Sequence, residues 1–496
     1  MKIRSSVLAT GHWPLATEVL LAIATGTLLV VSFPRVGWNF LAPVALVPLL
    51  LALVGEERAA RRFWLGHLAG CVCWGGMCYW IYGVMREYGH VPAGLAGALF
   101  AGFVLGKAVH LGVFAWLAGP LLARWWAIPA VAALWTAIEG THPYAGFTWL
   151  MLGHAAVDMP VVARLAPLTG VLGMSFVLAM MNVGVALALR RRPRWHLAPL
   201  ALLLLLYLAP RLPPRSPGKQ TAWLVQPNID AAHVSLSNPL TRWRAGATRT
   251  PDLILWPENP APAYFYNDPR FRRSVEQVAR IHGTYLLFSA VAFRDQALKE
   301  PLNSAVLLGP GGEEIARYDK IHLVPFGEFV PWPFGYLVGK VTSEAGDFVP
   351  GDKVVVAPAG GHAIGTFICY ESVFGNGVRQ FVAGGAEVLA TLSNDGWYGR
   401  TAARDQHLLI ARSRAQENAR WLLRATNTGL TRVIDPAGVV SAAIPPDQPG
   451  MLIAGFDYLT GQTIYTRWGD WFWWTAIAAS LAAQWQARKR EHAGRT

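Results

Sequence analysis

Eight apolar runs constrain this chain more than any other feature of its sequence. Seven of them, at about 17–32, 39–54, 63–83, 92–118, 123–139, 165–189 and 196–209, precede a polar middle, and an eighth follows it at about 470–485. A helix crossing a bilayer needs about 20 predominantly apolar residues. Runs one, two and seven fall short of that and need flanking residues or tilt to reach across. The chain's 53% hydrophobic fraction, its mean hydropathy of +0.32 and its 496 residues are all high for one soluble core. The expected layout is therefore seven transmembrane helices over 1–209, a water-facing domain over 210–469, and an eighth transmembrane helix with a short tail over 470–496. The first run carries no cleavage pattern followed by a polar mature sequence, so it reads as an anchor and not as a removable leader.

The formal net charge of +13 invites a nucleic-acid reading, but the placement of the charges argues against it. Positive residues cluster beside the apolar runs: Lys2 and Arg4; Arg58, Arg61 and Arg62; Arg124; Arg190, Arg191, Arg192 and Arg194; and Arg488, Lys489 and Arg490. These positions occupy alternate loops. The positive-inside rule puts all of them in the cytoplasm. Both termini then lie inside, eight crossings close, and residues 210–469 face outward, which in a bacterium is the periplasmic side of the inner membrane. Lipid is the expected partner, and nucleic acid is not.

After the prolines at 210, 213, 214 and 217 the texture changes. Helical pattern cannot continue through such a segment. Short β-type runs follow at Thr221–Gln226, Leu253–Trp256, Thr284–Ala292, Ser304–Leu308, Ala363–Tyr370, Val388–Ser393 and Gly429–Ile434. Helix-like stretches, such as Pro269–His282 and Ala402–Arg420, lie between them. Alternating strands and helices predict a layered α/β domain. No internal repeat or low-complexity tract is evident.

Of the four cysteines, Cys71, Cys73 and Cys78 fall in the third apolar run and read as small packing residues. Cys369 is the only cysteine of the outward domain, so it has no disulfide partner there. On that ground alone a buried structural thiol and a nucleophile are equally good readings. Its position closes a β-type run, and a strand-to-helix turn can hold a nucleophile beside backbone N–H groups. Glu258 and Lys320 close similar runs. Each alone reads as a surface charge, but strand ends on one sheet edge can converge. Acyl chemistry on a thiol needs a base, a nucleophile and an oxyanion donor, and a carboxylate, a thiol and an ammonium fill those roles.

These residues sit in motifs. The WPE of Trp256–Glu258, the KIHLVPFGE of Lys320–Glu328 and the CYE of Cys369–Glu371 resemble the Glu-Lys-Cys motifs of the nitrilase superfamily. The resemblance is closer to its membrane branch, the apolipoprotein N-acyltransferases. It extends to the SNDGW of Ser393–Trp397, the RATNTG of Arg424–Gly429, the GFTW of Gly146–Trp149, and the layout of helices before and after the catalytic domain. The chain departs from the family at Pro227, where Gly is usual, at Thr148, where Pro is common, and at Asn259, where Thr or Ser follows the base. The Lys-Trp pair often found soon after position 227 is absent.

The resemblance implies a polytopic helical domain joined to an αββα sandwich. It assigns Glu258 as general base, Cys369 as nucleophile and Lys320 as electrostatic stabiliser, with Glu328, Tyr370, Glu371, Asn394 and Trp397 as the supporting residues. The implied reaction moves an acyl chain from a phospholipid, through a Cys369 thioester, to the α-amino group of an S-diacylglyceryl cysteine on a lipoprotein. It needs no metal or organic cofactor, and a monomer is expected. The competing reading is a membrane-tethered amidase using the same three residues on a soluble amide; seven preceding helices argue against it. His322 reads as a structural hydrogen-bonding residue. Glu139, at the end of run five, reads equally as a helix-end carboxylate reaching water or as a residue near the site. The apolar stretch 329–337, with Trp332 and Tyr336, reads as a lid dipping into lipid or as core packing. Trp468, Trp471, Trp473 and Trp474 suggest an interfacial belt.

Overall fold

The computed structural model describes residues 14–229, 250–258, 264–295, 297, 300–329 and 348–493. Contacts divide the chain into two units. The first comprises residues 1–83, 92–211 and 470–496, and the second residues 84–91 and 212–469. Asn259 and the 330–337 part of the apolar stretch, with Trp332 and Tyr336, lie outside the described residues.

The apolar runs become helices of unequal kind. The first is α1 (Leu15–Val31). The second is broken: Pro43 interrupts it, leaving a 3₁₀ turn over Asn39–Val44 and a short α2 (Val47–Leu53). The buried Asn182 side chain repairs the break, donating to the Ala42 carbonyl at 2.8 Å and accepting the Leu46 amide at 2.7 Å. The third run forms α3 (Ala59–Met77) and α4 (Trp80–Glu87), bent by 50°. Then come α5 (Ala93–Leu122), α6 (Ala127–Glu139) and α7 (Ala166–Leu189). The seventh run is a 15-residue 3₁₀ helix, Arg194–Leu208. A closing helix spans Trp471–Ala493. Among the described residues, two helices, Ala93–Leu122 and Val162–Leu189, are long and apolar enough to cross a membrane, or three if the bent pair is one span.

Small residues set the spacing in this unit. A Cβ on Gly66 or Gly70 would collide with the backbone of Leu111 or Ala108, so α3 and α5 approach closely. The basic clusters gather at one end. Arg61 pairs with Glu18 and Glu56, Arg62 donates to the Glu56 carbonyl at 2.8 Å, Arg190 donates to the Leu51 carbonyl at 2.8 Å, and Arg124 to that of Ala487 at 3.1 Å. The belt expectation divides. Trp474 is exposed, whereas Trp473 is buried and donates its indole N–H to the Ala137 carbonyl, and Trp471 donates to that of Leu168. Trp468, in the second unit, is exposed. Glu139 does not reach water: it is buried and accepts the Leu152 amide at 2.6 Å.

The second unit holds two six-stranded sheets. The strands are β1 (Gln220–Gln226), β2 (Leu253–Leu255), β3 (Tyr285–Asp295), β4 (Glu300–Leu308), β5 (Glu314–Asp319), β6 (Val356–Ala359), β7 (His362–Ile368), β8 (Val388–Ser393), β9 (Leu422–Thr426), β10 (Arg432–Ile434), β11 (Val440–Ala443) and β12 (Gly450–Phe456). One sheet runs β12-β1-β2-β3-β4-β5 and the other β11-β10-β9-β8-β7-β6. Period-2 alternation builds the layers. Ala222 and Leu224 of β1 join Ile364, Val388 and Leu423 in one core between the sheets. Their neighbours Trp223 and Val225 face the other way, onto Val275 and Ala279 of helix α8 (Pro269–His282). The second sheet is covered by α9 (Gly375–Ala383) and α10 (Ala403–Asn418), with a short α11 (Ile464–Trp468) beyond. The order is helix, sheet, sheet, helix.

The topology aims chemistry at one edge. Strands β1, β2 and β3 are mutually parallel, as are β7, β8 and β9. Two antiparallel steps return β5 to the direction of β3. Glu258 therefore follows β2, and Lys320 follows β5, at the C-terminal edge of one sheet. Cys369 follows β7, and Asn394 follows β8, at the C-terminal edge of the other.

Candidate active site

Glu258, Lys320 and Cys369 meet among buried groups within the second unit. The Lys320 ammonium lies 3.5 Å from Glu258 Oε1 and 2.9 Å from Glu328 Oε2. Asn303, on β4, ties the two carboxylates together, its amide donating to Glu258 Oε1 and to Glu328 Oε1, both at 2.8 Å. The other Glu258 oxygen accepts the Asn394 backbone N–H at 3.0 Å. Glu328 is itself fixed by the Val324 amide at 2.7 Å. A buried ammonium between two carboxylates avoids the cost of an unpaired buried charge.

Cys369 ends the strand earlier than its sequence suggests. β7 stops at Ile368, and Cys369 opens a 3₁₀ turn, Cys369–Val373, with φ of +48°. A non-glycine residue in the left-handed region is held there by its surroundings. The clamp is Glu371. One of its oxygens accepts the Ile368 amide at 2.8 Å; the other accepts the Tyr318 hydroxyl at 2.7 Å and the Ile321 and His322 amides at 2.8 and 3.1 Å. One carboxylate thus joins the cysteine turn to the segment that begins at Lys320.

The electrostatics define a resting state. Burial, then the Glu258 charge, pushes the Cys369 thiol up, and Lys320 only partly opposes this. Burial also raises Glu258, against the pull of Lys320. Burial pulls Lys320 down, but Glu328 and then Glu258 outweigh it and hold it above its ordinary range. These shifts favour a protonated thiol at Cys369 and a charged, fixed ammonium at Lys320, with Glu258 between them.

The remaining expected residues have separate places. Tyr370 is buried with its ring edge-on to Phe374. Asn394 caps the 3₁₀ turn Asp395–Tyr398 by accepting the Gly396 amide at 3.2 Å. Trp397, on that turn, meets the Tyr88 ring edge-on at 5.0 Å, and Tyr88 donates its hydroxyl to the Gly396 carbonyl at 2.6 Å. The His322 ring is half-exposed and lies against Phe374; its backbone N–H, not its imidazole, makes the close hydrogen bond to Glu371.

Sequence reasoning missed Asn303 and His407. The polar pair Asn303–Ser304, buried inside β4, was the available signal for Asn303. His407, on α10, is fully buried beside the cysteine turn, with Asp395 and Arg424 around it. Both of those residues lie in motifs already quoted, but their partnership is not visible in the chain order.

A family model described as carbon-nitrogen hydrolase matches residues 216–465. One described as apolipoprotein N-acyltransferase N-terminal domain matches residues 25–184. The chain is 33% identical to an apolipoprotein N-acyltransferase of Geobacter metallireducens, with 96% of each chain covered. It is 34% identical to one of Azotobacter vinelandii, covering 91% of this chain and 92% of that relative. Among solved structures, a variant amidase of the nitrilase superfamily from Nesterenkonia AN1 is 21% identical with a TM-score of 0.36, covering 48% of this chain and 92% of that one.

Proposed function

The chain belongs to the apolipoprotein N-acyltransferase family, and from that premise we propose a two-step acyl transfer through Cys369. In the first step Glu258 accepts the thiol proton as Sγ attacks the ester carbonyl of a phospholipid. Lys320 stabilises the developing oxyanion. The carbon–oxygen bond then breaks, Glu258 returns the proton to the departing oxygen, and a lysophospholipid leaves. In the second step the α-amino group of an S-diacylglyceryl cysteine attacks the thioester. The amide forms, the carbon–sulfur bond breaks, and the proton lost by the amine restores the Cys369 thiol by way of Glu258. The observation that carries this reading is the convergence of base, ammonium and left-handed cysteine at one doubled sheet edge. Glu328, Tyr370, Glu371, Asn394 and Trp397 support that group.

The same reading places eight crossings in the inner membrane of a bacterium, seven over 1–209 and one within 470–496. Residues 210–469 lie in the periplasm, both termini lie inside, and a single chain works as a monomer. The gathering of Arg61, Arg62, Arg124 and Arg190 at one end of the helical unit supports it. So does the form of run seven. At about 2.0 Å per residue, a 3₁₀ helix of this length reaches about 30 Å, the thickness of the hydrocarbon core.

The test is direct. Phospholipid without lipoprotein should leave acyl groups on Cys369, released by neutral hydroxylamine and chased by a diacylglyceryl peptide. Mass spectrometry of that peptide should show a third acyl chain on its amino group. An active enzyme that never carries the adduct under rapid quench, or Cys369→Ala retaining transfer, would overturn the mechanism. Release of free fatty acid with no acylated peptide would favour an amidase-like hydrolase.

A further inference from the structure

Beneath the cysteine turn lies a buried polar group that the reaction does not use. His407 Nε2 is 3.1 Å from the Cys369 carbonyl oxygen and 2.7 Å from Ser372 Oγ. Its Nδ1 is 3.1 Å from both Arg424 Nη2 and Asp395 Oδ1. Arg424 Nη2 also donates to Asp395, at 2.7 Å to Oδ2, and Ser393 donates to Asp395 Oδ1 at 2.9 Å. The Tyr398 ring stands edge-on to the imidazole at 5.8 Å. Histidine, aspartate, arginine and both serines are all buried.

Donor chemistry constrains the protons. A carbonyl oxygen only accepts, so the contact with Cys369 is a hydrogen bond only if Nε2 carries hydrogen. A guanidinium can only donate to Nδ1 and a carboxylate can only accept from it, so Arg424 favours a bare Nδ1 while Asp395 Oδ1 favours a protonated one. The Cys369 and Arg424 contacts are both met by the neutral imidazole protonated on Nε2, whereas a ring with hydrogen on Nδ1 would instead donate to Asp395 Oδ1. Arg424 Nη2 has two hydrogens, one for Asp395 and one for Nδ1. Asp395 neutralises the guanidinium that selects the tautomer. Burial, with Arg424 next, holds His407 below its ordinary range, consistent with that neutral form.

We propose that His407 is a positioning residue for the nucleophile: its Nε2–H holds the Cys369 carbonyl, and Arg424, neutralised by Asp395, sets the tautomer that makes this possible. The carbonyl belongs to the residue at φ +48°. Holding it fixes the peptide plane after the cysteine, and with it the direction from which Sγ meets an acyl carbon. Asp395 also follows Asn394, whose backbone N–H holds Glu258. Base and nucleophile are thereby referred to one buried anchor. The inference rests on Cys369 being the nucleophile.

The experiment uses the full-length enzyme in proteoliposomes. His407→Leu fills the space without a donor, and His407→Gln keeps an amide N–H that reaches the carbonyl. The Leu variant should form the acyl adduct about 100-fold more slowly, as misplacement of a reacting group does, with an unchanged KM for phospholipid. The Gln variant should recover most of that loss. Alkylation of Cys369 by iodoacetamide, followed in parallel, should rank the three enzymes the same way. The ¹⁵N spectrum of histidine-labelled wild type, with the His407 signal assigned by its loss in the Gln variant, should show a neutral Nε2–H ring. A folded Leu variant with wild-type acylation, or a folded Gln variant no better than Leu, overturns the proposal. So does an Nδ1–H or imidazolium signal, a result that needs no folded Leu variant. A wild type that forms no adduct sinks the thioester reading instead, while alkylation and the spectrum still decide the histidine's role.

Discussion

Lys320 shows how a single side chain is specified by its neighbours. It has two carboxylates within reach and is fully buried, so its charge is compact, permanent and fixed in place. A guanidinium is larger, planar and differently directed. Lys320→Arg should fold yet lose at least about 100-fold in acylation, the scale of removing one oxyanion donor; near-normal single-turnover rates would exclude a direct role. In the proposed mechanism Glu258 sets the pH behaviour. The attack needs its ionised form, and burial raises its pKa. Acylation should therefore fall as pH drops through a pKa above the ordinary carboxylate value of about 4.3, and pre-steady-state rates against pH will locate that limb. The linkage sign is the same for stability only in reverse: a raised carboxylate favours the folded state at low pH and loses that contribution as pH rises through the folded pKa. Asp395, pushed up by burial but held low by Arg424 and His407, works oppositely. Its contribution is present above the ordinary aspartate range and is lost as acid protonates it.

At the scale of elements, local pattern carried some pieces to the residue. Helix Pro269–His282 and strand Val388–Ser393 have the bounds their periodicity predicts. Others were hidden. Helix Gly375–Ala383 opens on glycines, and strands Val440–Ala443 and Gly450–Phe456 carry little alternation in sequence; pairing with β10 and with β1 sets them in their sheets. The Glu258, Lys320 and Cys369 trio was legible because motifs flank each member. Asn303 and His407 were not, because each acts on a group about 40 residues away in sequence, brought there by sheet register for Asn303 and by helix packing on the sheet for His407. Segment Val84–Val91 is the same kind of case. It belongs to the second unit, and its Tyr88 supports the turn that carries Asn394 and Trp397. Tyr88→Phe removes one hydrogen bond and leaves the ring. It should cost about 1 kcal/mol of stability and slow acylation several-fold, read by thermal melting and rapid quench; a variant equal to wild type in both would show that this contact is idle.

At the scale of the whole chain, the proposed topology assigns each loop a side. Cys369 is buried, which makes it a poor reporter. With the four native cysteines replaced, Ala297→Cys should react with an impermeant maleimide in intact spheroplasts. Arg194→Cys should react only in inverted vesicles. The reverse pattern would overturn the orientation, and labelling of both from one side would overturn the number of crossings. The Glu371 clamp has a consequence for how such an enzyme is born. Base and ammonium emerge on the first sheet, the thiol on the second, and a single carboxylate arriving just after the thiol joins them. A half-translocated chain therefore carries inert parts. On the proposed mechanism, competence to open a lipid ester waits for Glu371 and for Asn394 and His407 after it, so a bilayer full of potential substrate is safe from an unfinished enzyme.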